Sequence, residues 1–391
     1  MPSKQTYIKD VRLSGYKSIK NVSCEFEEGL NIVIGNNGSG KSNLFEFIYK
    51  ILYRNYPGLD VFNADINISK GERYFRSNSL DKEGSEVFHW HTEGNISGKM
   101  KSFERQGIAL LEPGHDVFFY VEFVRFNLPD KIGVLSKELN SKYSLEKNWL
   151  SFDSVEENIP IEISIWLRSV FLKENIGDLE EIEKLNDDYV YSTLNDSFGN
   201  DFEDVKKNLS RYTPVQDVRL SNSVRIAKLD SSTFEFRNIV FEYKINDDWF
   251  SWGALSDGTK RLVYLIFTIN GIGFKSKPMS GEVGGVFPIT LIEEPELGIH
   301  PHQLHLLMNF LRERANEQQI IITTHSPQVL DILGPDELNK IIIAEIDREN
   351  GTVLRHLNNE ETNKAQLYLK DQGLLSDYWR FSDFQRSKEA K

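Results

Sequence analysis

Residues 30–52 read LNIVIGNNGSGKSNLFEFIYKIL, and the fold turns on how this stretch is divided. Leu30, Ile32, Val33 and Ile34 form a nearly unbroken apolar run, the pattern of a strand covered on both faces. Leu44, Phe45, Ile48, Ile51 and Leu52 recur instead at helical spacing. Between them, Gly35-Asn36-Asn37-Gly38-Ser39-Gly40-Lys41-Ser42 fits the spacing G-x-x-x-x-G-K-[ST]. Such glycines let backbone N–H groups converge on phosphate oxygens at a helix N-terminus. Lys41 then reaches the β and γ phosphates, and the Ser42 hydroxyl binds Mg²⁺. The alternative is a plain glycine turn, which the flanking strand and helix disfavour.

Two later apolar strands also end in polar groups. Leu291-Ile292-Glu293-Glu294-Pro295-Glu296 closes a strand with adjacent acids. Buried strands avoid charge, so carboxylates at a strand's C-terminal end suggest a cation or an active site there. Glu293 would hold Mg²⁺ through water, and Glu294 would orient and polarise an attacking water; the alternative is a solvated strand end. Glu296 reads as surface or loop structure. In QIIITTHSP (319–327), His325 either meets a γ phosphate or the attacking water, or is structural. A second phosphate-gripping turn, Leu255-Ser256-Asp257-Gly258-Thr259-Lys260-Arg261, opens the apolar helix KRLVYLIFTI, far along the chain from the first.

Phosphate loop, LSDGTKR, IEEPELGIHP and TTHSP follow one another in an order that resembles the ATP-binding-cassette class of ATPases. The spelling resembles more narrowly the heads of the RecF, SMC and OLD kind. It is most similar to stand-alone AAA-type ATPases of bacterial antiphage defence systems, such as the ATPase subunits of Septu-like systems. The resemblance covers nearly the whole chain and is specific in those four motifs. It implies an α/β P-loop NTPase fold with an ABC-type head: a mixed central sheet, an antiparallel β layer and an inserted helical subdomain. It also implies ATP and Mg²⁺ as cofactors, hydrolysis to ADP and phosphate through Glu294 and His325, and a homodimer. In that dimer Ser256 and Gly258 of one copy would contact nucleotide on the other copy's P-loop. A separately encoded effector, such as a nuclease, is the implied partner. This chain departs from the pattern at Asp257, where a second glycine is common, and at Glu293, where aspartate is usual. Lys260 and Arg261 are the cations available to offset Asp257.

The motifs divide the 391 residues into an N-terminal head segment (1–130), an acidic helical insertion (131–212) and a C-terminal head segment (213–391). EVFHWHTEG and HDVFFYVEFV are assigned to the antiparallel layer. With 46 Lys and Arg against 59 Asp and Glu, the net charge of −13 demotes nucleic acid as a partner without excluding it. One cysteine, Cys24, leaves no internal disulfide framework; its alternation with Val22 and Phe26 suggests a buried strand position. No signal peptide or membrane span is read, so a cytoplasmic protein is expected. The stretch after His325 is too short for the TOPRIM nuclease domain of OLD-type proteins, so no nuclease domain is expected. Gln106 is a candidate Q-loop residue or a surface glutamine. Lys9, Arg12, Lys17 and Lys20 read as a solvated face, or as contacts to nucleotide or a DNA backbone. Glu345 and Asp347 read as an edge strand rather than a nuclease metal pair. A RecF-like DNA-end sensor is the rival function, and a transporter ATPase ranks last.

The P-loop assignment predicts that Lys41→Ala abolishes nucleotide binding in equilibrium dialysis. Retained binding would leave residues 35–42 a glycine turn.

Overall fold

The computed structural model describes residues 7–56, 58–69, 73–92, 96–101, 118–125, 139–144, 149–152, 186–229, 233–270, 286–371 and 373–381. By contact the chain divides into two units: residues 1–125, 278–296 and 308–391 form the first, and 126–277 with 297–307 the second.

Along the chain, the first unit opens with β1 (Ile8–Ser14), β2 (Val22–Glu25), β3 (Leu30–Ile34), β4 (Phe62–Ile68), β5 (Arg73–Leu80), β6 (Glu86–Thr92), β7 (Ile96–Lys101) and β8 (Phe118–Arg125). The second unit holds β9 (Leu139–Ser144), β10 (Trp149–Phe152), β11 (Asp217–Leu220), β12 (Arg225–Lys228), β13 (Thr233–Ile239), β14 (Phe241–Ile245) and β15 (Asp248–Ser251). The chain then returns to the first unit with β16 (Val286–Glu293), β17 (Gln319–Thr324), β18 (Ile341–Asp347) and β19 (Gly351–His356).

Two six-stranded sheets build the first unit. The antiparallel sheet has the order β2-β1-β4-β5-β6-β7, and the mixed sheet the order β19-β18-β3-β17-β16-β8. In the latter β18, β3, β17, β16 and β8 run parallel, while β19 turns back along β18. All five residues of β3 and all six of β17 are buried, as strands in the middle of a covered parallel sheet must be.

The helix Lys41–Leu52 lies in the core shared by the two sheets. It buries Leu44, Phe45, Phe47, Ile48, Ile51 and Leu52 in one cluster with Val11 and Ile66 from one sheet and Leu291 and Ile321 from the other. Phe47 meets the rings of Tyr16 at 5.2 Å and Phe62 at 6.2 Å, and Phe45 meets Phe123 at 6.1 Å. Each such buried apolar side chain contributes roughly 1.5–3 kcal/mol. A buried amide also ties the sheets together. Gln319 accepts from the Ile8 N–H at 2.9 Å and donates to the Ile8 carbonyl at 3.0 Å, standing in for a strand neighbour.

Three sequence assignments change. HDVFFYVEFV, expected in the antiparallel layer, supplies β8, the edge of the mixed sheet and the parallel neighbour of β16. An apolar run without strict alternation suits a strand of a parallel sheet better than one of a half-solvated antiparallel layer. The stretch 131–212, expected to be helical, contains strands β9 and β10 beside the expected helices Asp187–Asp201 and Glu203–Tyr212. Those strands join β13 and β12 in one sheet, and β11, β14 and β15 form another. Residues 213–270, read as part of the C-terminal head segment, fall in the second unit. The helix Asp257–Asn270 explains why. Its Phe267 packs on Phe202 at 5.7 Å and Phe241 at 6.3 Å, and its Asn270 accepts from the buried Asn208 amide at 2.9 Å.

Cys24 sits on β2, 5% exposed, and burial pushes its thiol from the ordinary 9 up to about 12. The native state therefore favours the neutral thiol, and its contribution to stability is complete below pH 9 and lost between pH 9 and about 12. Cys24 should resist a maleimide at pH 8 in native buffer and react fully in denaturant, read by mass spectrometry. Rapid native labelling would show that the β2 edge opens.

Candidate functional site

Four strand ends of the mixed sheet meet in one row. Thr323 on β17 is the register partner of Val33 on β3 and of Glu293 on β16, and Glu293 is in turn the partner of Arg125 on β8. Parallel strands end on the same side, so one row of the sheet delivers the residues beyond Ile34, the acids of β16 and the turn after Thr324 to one edge.

Gly40, between β3 and the helix Lys41–Leu52, has φ of +92°, and a Cβ there would lie 1.8 Å from Thr352 Oγ1. Only glycine fits this position. Asn36, Asn37, Gly38 and Ser42 are exposed, whereas Ser39 and Lys41 are buried. Lys41 Nζ donates to the carbonyls of Gly35 at 2.7 Å and Asn36 at 3.0 Å. Burial pulls the Lys41 ammonium below its ordinary pKa, and the charges of Glu294, Glu296 and Glu293 oppose that fall. The loop thus holds a cation in place, facing three carboxylates.

Glu293 is 3% exposed. Arg125 Nε lies 2.8 Å from its Oε2, yet neither atom has a hydrogen bond of acceptable geometry. The contact is therefore Coulombic, and the carboxylate keeps its acceptor capacity. Glu294 follows in the left-handed region, at φ +49°, with its N–H donating to the Thr323 carbonyl at 2.8 Å. Such a backbone costs a residue other than glycine roughly 1–3 kcal/mol, and strain of this kind gathers at functional sites. His325 Nδ1 stands 3.5 Å from Oε1 of both Glu294 and Glu296.

Glu296, read from the sequence as surface or loop structure, is an anchor. Its side chain is 8% exposed. Its Oε1 accepts from Thr324 Oγ1 at 2.5 Å, His325 N at 3.2 Å and Ser326 N at 3.3 Å. One carboxylate oxygen so fixes the backbone that carries His325.

Lys41, Glu293, Glu294 and His325 all belong to the first unit; Ser256 and Gly258 belong to the second. Ser256 caps the helix Asp257–Asn270: its Oγ accepts from Thr259 N at 3.2 Å and lies 2.9 Å from Thr259 Oγ1. Gly258 is buried where a Cβ would meet Gln303 Oε1 at 3.1 Å. Asp257 is 89% exposed, with Lys260 Nζ 3.6 Å away. Arg261 donates to the Leu297 carbonyl; burial lowers its pKa, and the charge of Asp257 opposes that fall. Of the two cations expected to offset Asp257, Lys260 makes the close contact.

A family model described as "AAA domain, putative AbiEii toxin, Type IV TA system" matches residues 30–331, from β3 to the turn beyond His325. The chain belongs to this AAA-domain family. It is 23% identical to the Septu protein PtuA of Bacillus thuringiensis over 356 residues, 90% of this chain and 79% of PtuA. It is 24% identical to the DNA replication and repair protein RecF of Bacillus mycoides over 177 residues, 45% of this chain and 38% of RecF. In fold it resembles an SMC head solved bound to the C-winged helix domain of ScpA, with a TM-score of 0.51, 18% identity, and coverage of 90% of this chain and 99% of that one. This AAA-domain protein is an ATPase of the P-loop class with an SMC-like head fold.

The residues present fit ATP with Mg²⁺. Ser39 Oγ in the loop and Thr323 Oγ1 beside Glu293 are buried without a hydrogen-bond partner, as groups awaiting a polar ligand are. Gly35 to Ser42 would hold the phosphates; Ser42 and Glu293 would hold the metal. Gln106 lies outside the described residues. Asp347 Oδ1 accepts from Glu349 N and Asn350 N in the hairpin turn, and Glu345 faces Arg355 at 3.7 Å; their strand, read as an edge, instead lies between β19 and β3, and β19 forms the edge.

Glu296→Ala should lower ATP turnover by roughly tenfold or more, because it frees the His325 backbone, while changing nucleotide affinity less than about threefold. Steady-state kinetics with equilibrium binding read both. A fall in affinity with turnover intact would make Glu296 part of nucleotide binding instead.

Proposed function

We propose that this chain is an ATP-hydrolysing dimeric switch, the ATPase subunit of an antiphage defence system that governs a separate effector such as a nuclease. The observation that supports it best is the convergence of Lys41, Glu293, Glu294 and His325 on one edge of one parallel sheet. The likeness to a Septu protein along 90% of the chain supports the defence role.

The backbone N–H groups and ammonium of the P-loop would bind the β and γ phosphates of ATP. The Ser42 hydroxyl and Glu293 would hold Mg²⁺, which would supply neutralisation of the phosphate charge. Glu294 orients the attacking water and takes its proton as the γ phosphoryl group leaves ADP. His325, anchored through Glu296, holds the γ phosphate or that water in line. Lys41 stays charged because nucleotide phosphates add to the carboxylates that already oppose its deprotonation. Ser256 and Gly258 act in trans: Ser256 and Asp257 are exposed at a helix N-terminus, where phosphate is favoured. Two copies would close around two nucleotides and part after hydrolysis, changing what the second unit presents to the effector. Among the described residues no helix is long and apolar enough to cross a membrane.

With ATP and Mg²⁺, Glu294→Gln should run as a dimer in light scattering while Lys41→Ala runs as a monomer. Mixing Lys41→Ala with Ser256→Arg protomers should restore one composite site and part of the ATPase activity. No recovery would mean that each head works alone. Nuclease co-purifying with the native protein supports the effector role; salt-sensitive, ATP-strengthened DNA binding alone would favour a RecF-like clamp.

A further inference from the structure

Arg125 belongs to none of the four motifs, yet it is the cation nearest the Glu293 carboxylate among the described contacts. β8 and β16 pair so that the two residues are direct register partners at the ends of their strands. The guanidinium lies 4.5 Å above the Phe123 ring, which fixes its plane. From there Nε reaches Glu293 Oε2 at 2.8 Å, and Nη2 stands 3.5 Å from Glu46 Oε2 on the helix Lys41–Leu52. Glu46 is itself held by Lys17 at 2.7 Å.

A carboxylate 3% exposed is costly without a counter-charge. Arg125 supplies one from inside the fold, at the acid that would otherwise need a divalent cation. The contact has the distance of an ion pair and lacks hydrogen-bond geometry, so the attachment is electrostatic and not locked by direction. The guanidinium also has a second acid within reach. Glu46 gives it a place to rest its charge when another cation claims Glu293.

We propose that Arg125 is a resident counter-cation of Glu293 that competes with the divalent metal and so sets how tightly metal binds. This rests on the reading that Glu293 helps hold Mg²⁺. Two positive charges at one carboxylate repel each other, so metal binding must work against Arg125 or displace it toward Glu46. Glutamate in place of aspartate supplies the extra methylene that lets one carboxylate be approached from β8. Arg125 is thereby a positioning residue and touches neither water nor phosphate in the reaction.

The test is Mn²⁺ affinity of the full chain loaded with the β,γ-imido analogue of ATP, read by electron paramagnetic resonance of free Mn²⁺. Arg125→Gln should bind Mn²⁺ roughly tenfold more tightly than the native protein, and Arg125→Lys, which keeps the charge, should stay within about threefold of it. The same variant should lose thermal stability without metal and regain more of it with Mn²⁺ than the native protein does. Equal or weaker Mn²⁺ binding by Arg125→Gln would overturn the competition and make Arg125 a tether. Glu293→Gln separates the two layers. If it binds Mn²⁺ as the native protein does, the metal role of Glu293 fails; if it binds weakly while Arg125→Gln gains nothing, only the Arg125 inference fails.

Discussion

The row of register partners Val33, Thr323, Glu293 and Arg125 is the constraint on which the rest depends. Parallel pairing sends four strands out on one side of the sheet, so the loops after them emerge together. β16 and β17 are largely apolar along their length and end in Glu293 and in Thr323-Thr324, because the sheet interior disfavours charge. A slip of one residue in any pair would turn Glu293 or Thr323 to the opposite face of the sheet and break the group. The antiparallel sheet and the helix Lys41–Leu52 keep that register in place by burying a common core.

Charge balance is the second organising force. Lys41 is buried and loses solvation, yet Glu294, Glu296 and Glu293 lie close enough to oppose its deprotonation. Glu293 has Arg125, and Glu296 spends one oxygen on three donors around His325. The site is thus a set of mutually dependent charges in a region of low solvent access, where each is costly alone. The left-handed backbone at Glu294 adds strain, and the packing of the core outweighs it.

The signature helix obeys a different logic. Its start is capped by its own Ser256 and packed at Gly258 against Gln303, and its far end is held by Phe202 and Asn208. Those contacts tie the helix to the second unit, which is why the division by contact differs here from a linear division by motif. Arg261 illustrates the same point. The sequence makes it a neighbour of Asp257, and the fold spends it on the Leu297 carbonyl.

Local pattern alone determined the glycine loop between β3 and its helix, the strands that end in Glu293 and Thr324, the helix that opens after Ser256 and the buried place of Cys24. Those features rest on spacing within a few residues, where backbone geometry and apolar periodicity leave few options. Tertiary structure decided which sheet β8 joins, that Glu296 anchors the turn of His325, and that Arg125 stands against Glu293. Each of these depends on strands far apart in the chain meeting in one register. An isolated arginine or a second acid in E-P-E carries no mark of that meeting, because its partner is chosen by the sheet and not by its neighbours in sequence.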